Sequence, residues 1–349
     1  MRHLLDWTHV SDADWAACLA RARQHRAAHK TPAAYSDAAR GKALGMVFFN
    51  SSLRTRTSME LAAVQLGAHA TTLDVGQGVW GFEWETGVAM TGDKAEHIRE
   101  AVGVLSRYYD ALGVRVFATL TDRAKDEADA LLAAFAEAAT VPVVNLESAA
   151  FHPCQALADA ATLSDRFDGS EGGVAGKRLL LTWAPHPKAL PHAVPNSALL
   201  MAARLGLDVR LACPKEALLA PGIVAQAEAY AAAHGADFDV THDLDSAYDG
   251  VDVVYAKAWA SPLVYDDPRA DAALRAAHAG WTVTPDKMAR ANADAAFMHC
   301  LPVRRGVVVA DAVLDRPNAL HLDQAEYRLH AQKAILEWLW ALQEETREV

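Results

Sequence analysis

The strongest constraint on this chain is a regular alternation of short β-branched runs with longer runs of helical periodicity. GMVFFN (45–50), ATTLDV (70–75), GVRVF (113–117) and VPVVNLE (141–147) read as strands in the first half. KRLLLTWA (177–184), DVRLACP (208–214), DVVYAKAW (252–259) and AAFMHCLP (295–302) read as strands in the second. Between them, segments such as SSLRTRTSMELAAVQLG and DEADALLAAFAEAA place apolar residues at helical spacing. Parallel strands need helix-length crossovers, so the alternation predicts parallel sheets covered on both faces. At roughly 100–200 residues per domain, a chain of 349 residues has room for two. Coupling between them is expected to be weakest near 148–152. The final segment, AEYRLHAQKAILEWLWALQEE, reads as one long amphipathic helix.

Composition narrows the function classes. Hydrophobic residues are 52% and charged residues 22%, the balance of a globular chain and not of a disordered one. Lys plus Arg number 33 against 44 Asp plus Glu, a net −11, so there is no global footprint for nucleic acid or an anionic membrane. Cys18, Cys154, Cys213 and Cys300 are scattered with no CxxC pair, which argues against a disulfide framework or a cysteine zinc site. No apolar run is long enough for a membrane span, and the N-terminus lacks a signal-peptide run. The expected setting is cytoplasmic.

FFNSSLRTRTSMELAAVQLG carries the most chemistry. A strand runs into Asn50, and Ser51 and Ser52 stand where a helix N-cap belongs. A helix N-terminus offers unpaired N–H groups and a positive dipole end, and so attracts phosphate. Ser52, Leu53, Arg54, Thr55 and Arg56 bring hydroxyls and two guanidiniums to that end. Arg suits bidentate oxyanion binding. A strand's carboxyl edge is also where open α/β sheets take ligands. The spacing is not that of a Walker A loop, and no GxGxxG follows a strand, which counts against a dinucleotide dehydrogenase.

Ser52-Leu53-Arg54-Thr55-Arg56 resembles the Ser-x-Arg-Thr-Arg carbamoyl-phosphate motif of the aspartate and ornithine carbamoyltransferases. Further matches to that family follow in order: Arg115 in GVRVF, His152-Pro153-Cys154-Gln155, His299-Cys300-Leu301-Pro302, and Arg328 in the last helix. The resemblance implies an α/β fold of two doubly wound parallel-sheet domains joined by interdomain helices. Residues 1–148 would bind carbamoyl phosphate and 149–322 an N-acylornithine, with a C-terminal helix, 323–349, packing back on the first domain. It implies attack of a neutral amine on the carbonyl of carbamoyl phosphate, with no cofactor or metal. The enzyme must clamp the phosphate, polarise the carbonyl and orient the amine. Ser52, Leu53, Arg54, Thr55 and Arg115 would hold phosphate. His152 and Gln155 would hold the carbamoyl oxygen and nitrogen, and the Cys300-Leu301 backbone and Arg328 would complete the carbonyl site. Trp80, in the Gly-rich DVGQGVWGFEW loop, would serve the carbamoyl-phosphate site of a neighbouring subunit in a homotrimer. A non-enzymatic phosphate sensor would use the same helix terminus but has no need of His152, Gln155 and Arg328 together.

The amine is read from a departure. Where ordinary ornithine enzymes place an Asp and a Ser-Met-Gly loop around a free α-amino group, this chain has DVVYAKAWASP, with Lys257 in place of the Asp. Lys repels a free α-ammonium but attracts the α-carboxylate that remains once the nitrogen is acylated. YAKxW resembles the N-acetyl- and N-succinylornithine carbamoyltransferases, and Glu147 and His186 match that branch's amino-acid-side contacts. The acetyl branch carries a Glu at the loop position held here by Ala95, which leaves room for succinate's carboxylate. The Glu147–His152 spacing and the WAPHP string also resemble the succinyl branch, and Val308 stands where some acetyl enzymes have a Lys. HPCQ and RLHxQK look acetyl-like. The substrate expected is N-succinyl-L-ornithine, giving N-succinyl-L-citrulline in arginine biosynthesis, with N-acetyl-L-ornithine as the alternative.

Overall fold

Two parallel sheets, each in its own unit of the chain, carry the fold. The computed structural model describes residues 2–342, so the end of the expected C-terminal segment, 343–349, lies outside the described residues. One unit comprises the chain up to Thr119, Ala124–Leu157 and the chain from Tyr327, and the other comprises Leu120–Arg123 and Ala158–Glu326.

Along the first unit the chain forms α1 (Asp12–Ala27), β1 (Ala43–Phe48), α2 (Arg54–Gln65), β2 (His69–Asp74), and a small pair, β3 (Phe82–Glu83) and β4 (Glu96–His97). It continues with α3 (Ile98–Tyr108), β5 (Ala111–Arg115), α4 (Arg123–Glu127), α5 (Ala130–Ala138) and β6 (Val143–Glu147). The main sheet is parallel in the order β2-β1-β5-β6. Register sets Phe48 opposite both Asp74 and Arg115, and Arg115 opposite Glu147, so four carboxyl ends meet at one edge. The chain steps outward from β1 to β2, then returns to place β5 and β6 on the other side. That reversal makes a switch point between β1 and β5, the crevice where doubly wound sheets take ligands. β1 and β5 are almost wholly buried, as strands covered on both faces must be. Two glycines allow close packing there: a Cβ on Gly45 would meet the Tyr109 ring at 2.6 Å, and one on Gly113 would meet Leu146 at 2.8 Å. Val47, Val102, Leu112, Val114, Phe135 and Val143 centre the core.

The boundary between the units falls inside α6 (Pro153–Arg166). The second unit has β7 (Arg178–Trp183), α7 (Ala193–Arg204), β8 (Asp208–Ala212), α8 (Pro221–Ala233), β9 (Phe238–Thr241) and β10 (Val253–Lys257). After these come α9 (Pro268–Ala277), α10 (Pro285–Met288), β11 (Ala296–Met298) and α11 (Asp311–Leu314). Its sheet, β11-β10-β7-β8-β9, is again all parallel and again reverses once, between β7 and β10. The chain returns to the first unit inside α12 (His321–Leu339).

Three local expectations differ from what is found. The stretch DEADALLAAFAEAA is broken between α4 and α5 at Asp129, whose φ of 49° takes the left-handed region. The edge strand β9 lies outside the expected strands, because its half-exposed FDVT is short and carries no continuous apolar run. α12 is not amphipathic from Tyr327 onward: Arg328, His330, Gln332 and Lys333 are buried along with its apolar residues. Partners within the first unit permit this. Lys333 Nζ donates to Ala34 O at 2.6 Å, and Arg21 Nε donates to Glu337 Oε2 at 2.6 Å. No helix among the described residues is long and apolar enough to cross a membrane.

Candidate active site

In the first unit, β1 ends at Phe48 beside the switch point, and residues 49–53 carry the chain to Arg54, the first residue of α2. The helix N-cap is Leu53, in helical backbone with no side-chain cap bond. This corrects the expectation of a serine cap, since Ser51 and Ser52 lie ahead of the cap position. Thr55, in the first turn, is 2% exposed. Its Oγ1 accepts from Arg328 Nη2 at 2.8 Å and from Arg115 Nη1 at 3.3 Å. Arg328 Nη1 donates to Gln155 Oε1 at 2.7 Å. Arg115 Nη1 also reaches Glu147 Oε2 at 2.5 Å, and His152 Nε2 lies 3.5 Å from the same oxygen. The structure therefore gathers Thr55, Arg115, Glu147, His152, Gln155 and Arg328 into one buried network, with Ser52, Leu53 and Arg54 on the chain leading into it.

The network sets two guanidiniums, Arg115 and Arg328, against a single carboxylate, Glu147, which pairs with Arg115, at the N-terminus of a helix whose first residue is Arg54. That charge balance suits a dianion. The Nε–H of Arg115 is buried with no hydrogen-bond partner among the described residues, an open donor in a desolvated place. Arg56 turns elsewhere. It pairs with Asp74 at the end of β2 and lies over the Phe48 ring, 5.0 Å from its centroid. The expectation of two guanidiniums at the helix end is corrected on this point, since the Arg56 charge is spent on Asp74. Glu147 has a φ of 145°, unusual for a residue with a side chain. Such backbone costs on the order of 1–3 kcal/mol and persists only where its surroundings impose it.

Trp80 and Ala95 lie on the surface of the same unit, beside the β3–β4 pair. Trp80 is 58% exposed, and its Nε1 donates to Glu96 Oε2 at 2.9 Å. Ala95 is exposed and its N–H donates to Gly81 O at 3.2 Å.

In the second unit the expected residues follow the carboxyl ends of β7, β10 and β11, again around a switch point. Lys257 ends β10. His186 follows β7, and its Nε2 accepts from Arg304 Nε at 2.9 Å. Its Nδ1 lies within hydrogen-bond distance of both Lys188 O, at 2.9 Å, and Lys188 N, at 3.0 Å. Burial, with the cations of Arg304, Lys257 and Arg275, pushes the His186 pKa down, which agrees with a neutral ring. Arg275 Nη1 donates to His186 O at 2.7 Å and its Nε to buried Asp271 at 2.8 Å. Sequence reasoning does not single out Arg304 or Arg275. Arg304 stands two residues past the His-Cys-Leu-Pro motif, and that adjacency is a usable signal. Arg275 has none.

The Cys300-Leu301 turn is held from several elements. Leu301 has a φ of 55°, and its N–H donates to His299 Nδ1 at 2.9 Å. His299 N donates to Gln324 Oε1 at 2.8 Å, and Gln324 Nε2 to Asp159 Oδ1 at 2.7 Å. Tyr255 OH donates to the other Asp159 oxygen at 2.9 Å. Burial pushes the thiols of Cys18 and Cys213 up to about 12 and that of Cys154 to about 11, so these three are neutral packing groups.

Residues 2–165 match the family model for the carbamoyl-P binding domain of aspartate/ornithine carbamoyltransferase, and 192–339 match that for its Asp/Orn binding domain. The N-acetylornithine carbamoyltransferase of Xanthomonas campestris pv. campestris is 45% identical over 298 residues, covering 85% of this chain and 87% of that protein. The N-succinylornithine carbamoyltransferase of Bacteroides thetaiotaomicron is 38% identical over 305 residues, covering 87% and 89%. A solved Glu-to-Ala variant of N-acetyl-L-ornithine transcarbamylase, complexed with carbamyl phosphate and N-succinyl-L-norvaline, matches with a TM-score of 0.92 at 42% identity. That match covers 98% of this chain and 100% of the other.

Proposed function

The chain belongs to the aspartate/ornithine carbamoyltransferase family and is a carbamoyltransferase acting on an N-acylornithine; we propose that the acyl group is succinyl. The reaction moves the carbamoyl group of carbamoyl phosphate to the side-chain amine of N-succinyl-L-ornithine, giving N-succinyl-L-citrulline and phosphate in arginine biosynthesis.

The observation that carries transfer chemistry is the buried Thr55 hydroxyl under two guanidiniums, joined through Arg328 to Gln155. In the proposed mechanism the amine lone pair attacks the carbonyl carbon, and the bond to the phosphate oxygen breaks. Ser52, Arg54, Thr55, Arg115 and the Leu53–Thr55 backbone take the phosphate. His152, Gln155 and Arg328 take the carbamoyl group and stabilise the oxyanion, together with the Cys300-Leu301 backbone. The amine proton leaves to phosphate or solvent, and no side chain is assigned as its base. Arg115 can serve both Glu147 and phosphate, because its Nε–H is still open.

Glu147, His186 and Lys257 are assigned to the amino-acid substrate. Lys257 and Arg304 beside His186 support a ligand with carboxylates and no free α-ammonium. Ala95 supports succinyl, since it adds no negative charge, and a Glu-to-Ala variant of an acetyl enzyme was solved with a succinyl analogue. A second reading, N-acetyl-L-ornithine, is favoured by the higher identity to an acetyl enzyme, 45% against 38%. We place the enzyme in the cytoplasm as a homotrimer in which the exposed Trp80 serves a neighbour's site.

The test is kcat/KM for both acylornithines on the wild type and on Ala95→Glu. The wild type should prefer N-succinylornithine. The variant should lose that substrate by about 2 kcal/mol, roughly 30-fold, and keep the acetyl substrate. A wild type that uses only N-acetylornithine reverses the acyl assignment.

A further inference from the structure

β6 ends at Glu147, and the chain reaches His152 through a four-residue turn, 148–151. That turn is pinned by side chains from two places. Ser148 N donates to Phe151 O at 2.9 Å and closes it. From within β6, Asn145 Oδ1 accepts from Glu147 N at 2.9 Å, and Asn145 Nδ2 donates to Ser148 Oγ at 2.9 Å and to Phe151 O at 3.2 Å. From outside, Asp129 Oδ1 accepts from Ala149 N at 2.9 Å, and its Oδ2 accepts from Ser148 Oγ at 2.5 Å.

Asp129 is placed at some cost. It sits at the N-cap of α5 with a φ of 49°, yet makes no side-chain bond to its own helix. It forms no ion pair among the described residues, and Asp6 adds a like charge nearby. Burial pushes its carboxyl up to about 6, against the hydrogen bonds from Ser148, Ala149 and Ala150 that pull it down. Because the folded-state pKa is raised, the ionised group opposes folding above that pH.

We propose that Asp129 is a positioning residue for carbamoyl transfer: its carboxylate locks the 148–151 turn so that Glu147 stays between Arg115 and His152. This rests on the proposed function, in which those three residues serve the reaction. The lock depends on a carboxylate. Ser148 Oγ already receives Asn145 Nδ2 and, at 3.2 Å, Phe151 N, so both its lone pairs are taken; of its two acceptors, Phe151 O at 3.1 Å and Asp129 Oδ2 at 2.5 Å, the nearer, charged one takes its single proton. An amide in the same place must turn its nitrogen one of two ways. Toward Ser148 it brings a third donor to an oxygen with two lone pairs, and toward Ala149 it sets donor against donor. Asn nonetheless tolerates the left-handed backbone well.

Asp129→Asn should therefore lower kcat about tenfold or more, the scale of a small misplacement of reacting groups. KM for carbamoyl phosphate should stay within about threefold, since Ser52, Arg54 and Thr55 are untouched and Arg115 keeps its contact with Thr55 Oγ1 and its open Nε–H. Tm near neutral pH should not fall, because a desolvated charge is removed. Ser148→Ala, which removes the same link from the other side, should lower kcat similarly. A kcat within about twofold of wild type in Asp129→Asn overturns the assignment. So does a kcat loss matched by a lower Tm in both variants, which marks a structural role. Absence of turnover in the wild type would instead refute the proposed function itself.

Discussion

Thr55 does for Arg115 and Arg328 what neither can do for the other: it offers one oxygen to both guanidiniums. Thr55→Val keeps the volume and removes that acceptor. Leaving buried charged donors short of a partner costs about 1–3 kcal/mol, so kcat/KM for carbamoyl phosphate should fall roughly 5- to 150-fold. An unchanged value would separate Thr55 from phosphate binding. Arg54→Ala removes a charge-assisted donor and should cost about 2–5 kcal/mol in the same assay with the fold intact. At this scale Thr55, Arg115, His152, Gln155 and Arg328 are legible as residue types in ordered motifs. The fate of Arg56 is not, because its capture by Asp74 depends on the register of β1 with β2. Arg275 beside His186 is hidden for a similar reason, since the two meet only through tertiary folding.

At the scale of elements, strand–helix alternation is legible because buried parallel strands leave long apolar runs. α12 shows where pattern reading stops. Its polar residues suggest a wet face, but their partners come from α1 and from Ala34, far away in sequence. Burial pushes the Glu337 carboxyl up, yet hydrogen bonds from Arg21 and His25 and their charges hold it down at about 2. The folded-state pKa lies below the usual 4.5, so this stabilisation is present above pH 4.5 and is lost as pH falls toward 2. The full shift corresponds to about 3 kcal/mol. Glu337→Gln should lower unfolding free energy at neutral pH and flatten its fall between pH 4.5 and 2, as read by denaturant titrations at both ends. An unaltered acid slope would show that the Arg21–Glu337–His25 cluster does not carry it.

At the scale of the whole molecule, the strand order of each large sheet reverses once, and Thr55 and Arg115 in one unit and His186 and Lys257 in the other end or follow strands at those reversals, whereas Trp80 and Ala95 do not. That placement is legible from motifs following strands. The passage of α6 and α12 from one unit to the other is not, because a helix's periodicity does not mark which core it serves. Assembly is tested by complementation. Inactive Trp80→Ala and inactive Arg54→Ala protomers, mixed and reassembled, should recover activity if sites are shared between subunits. No recovery in verified mixed oligomers counts against a shared site. The central claim, carbamoyl transfer to an acylated ornithine, is tested most directly by kcat/KM with carbamoyl phosphate for N-succinylornithine, N-acetylornithine and free ornithine. An ammonium facing Lys257 in a partly desolvated site is disfavoured by several kcal/mol, so an acylornithine should lead by at least about 100-fold. Preference for free ornithine, or no carbamoylated product from any of the three, would contradict the account.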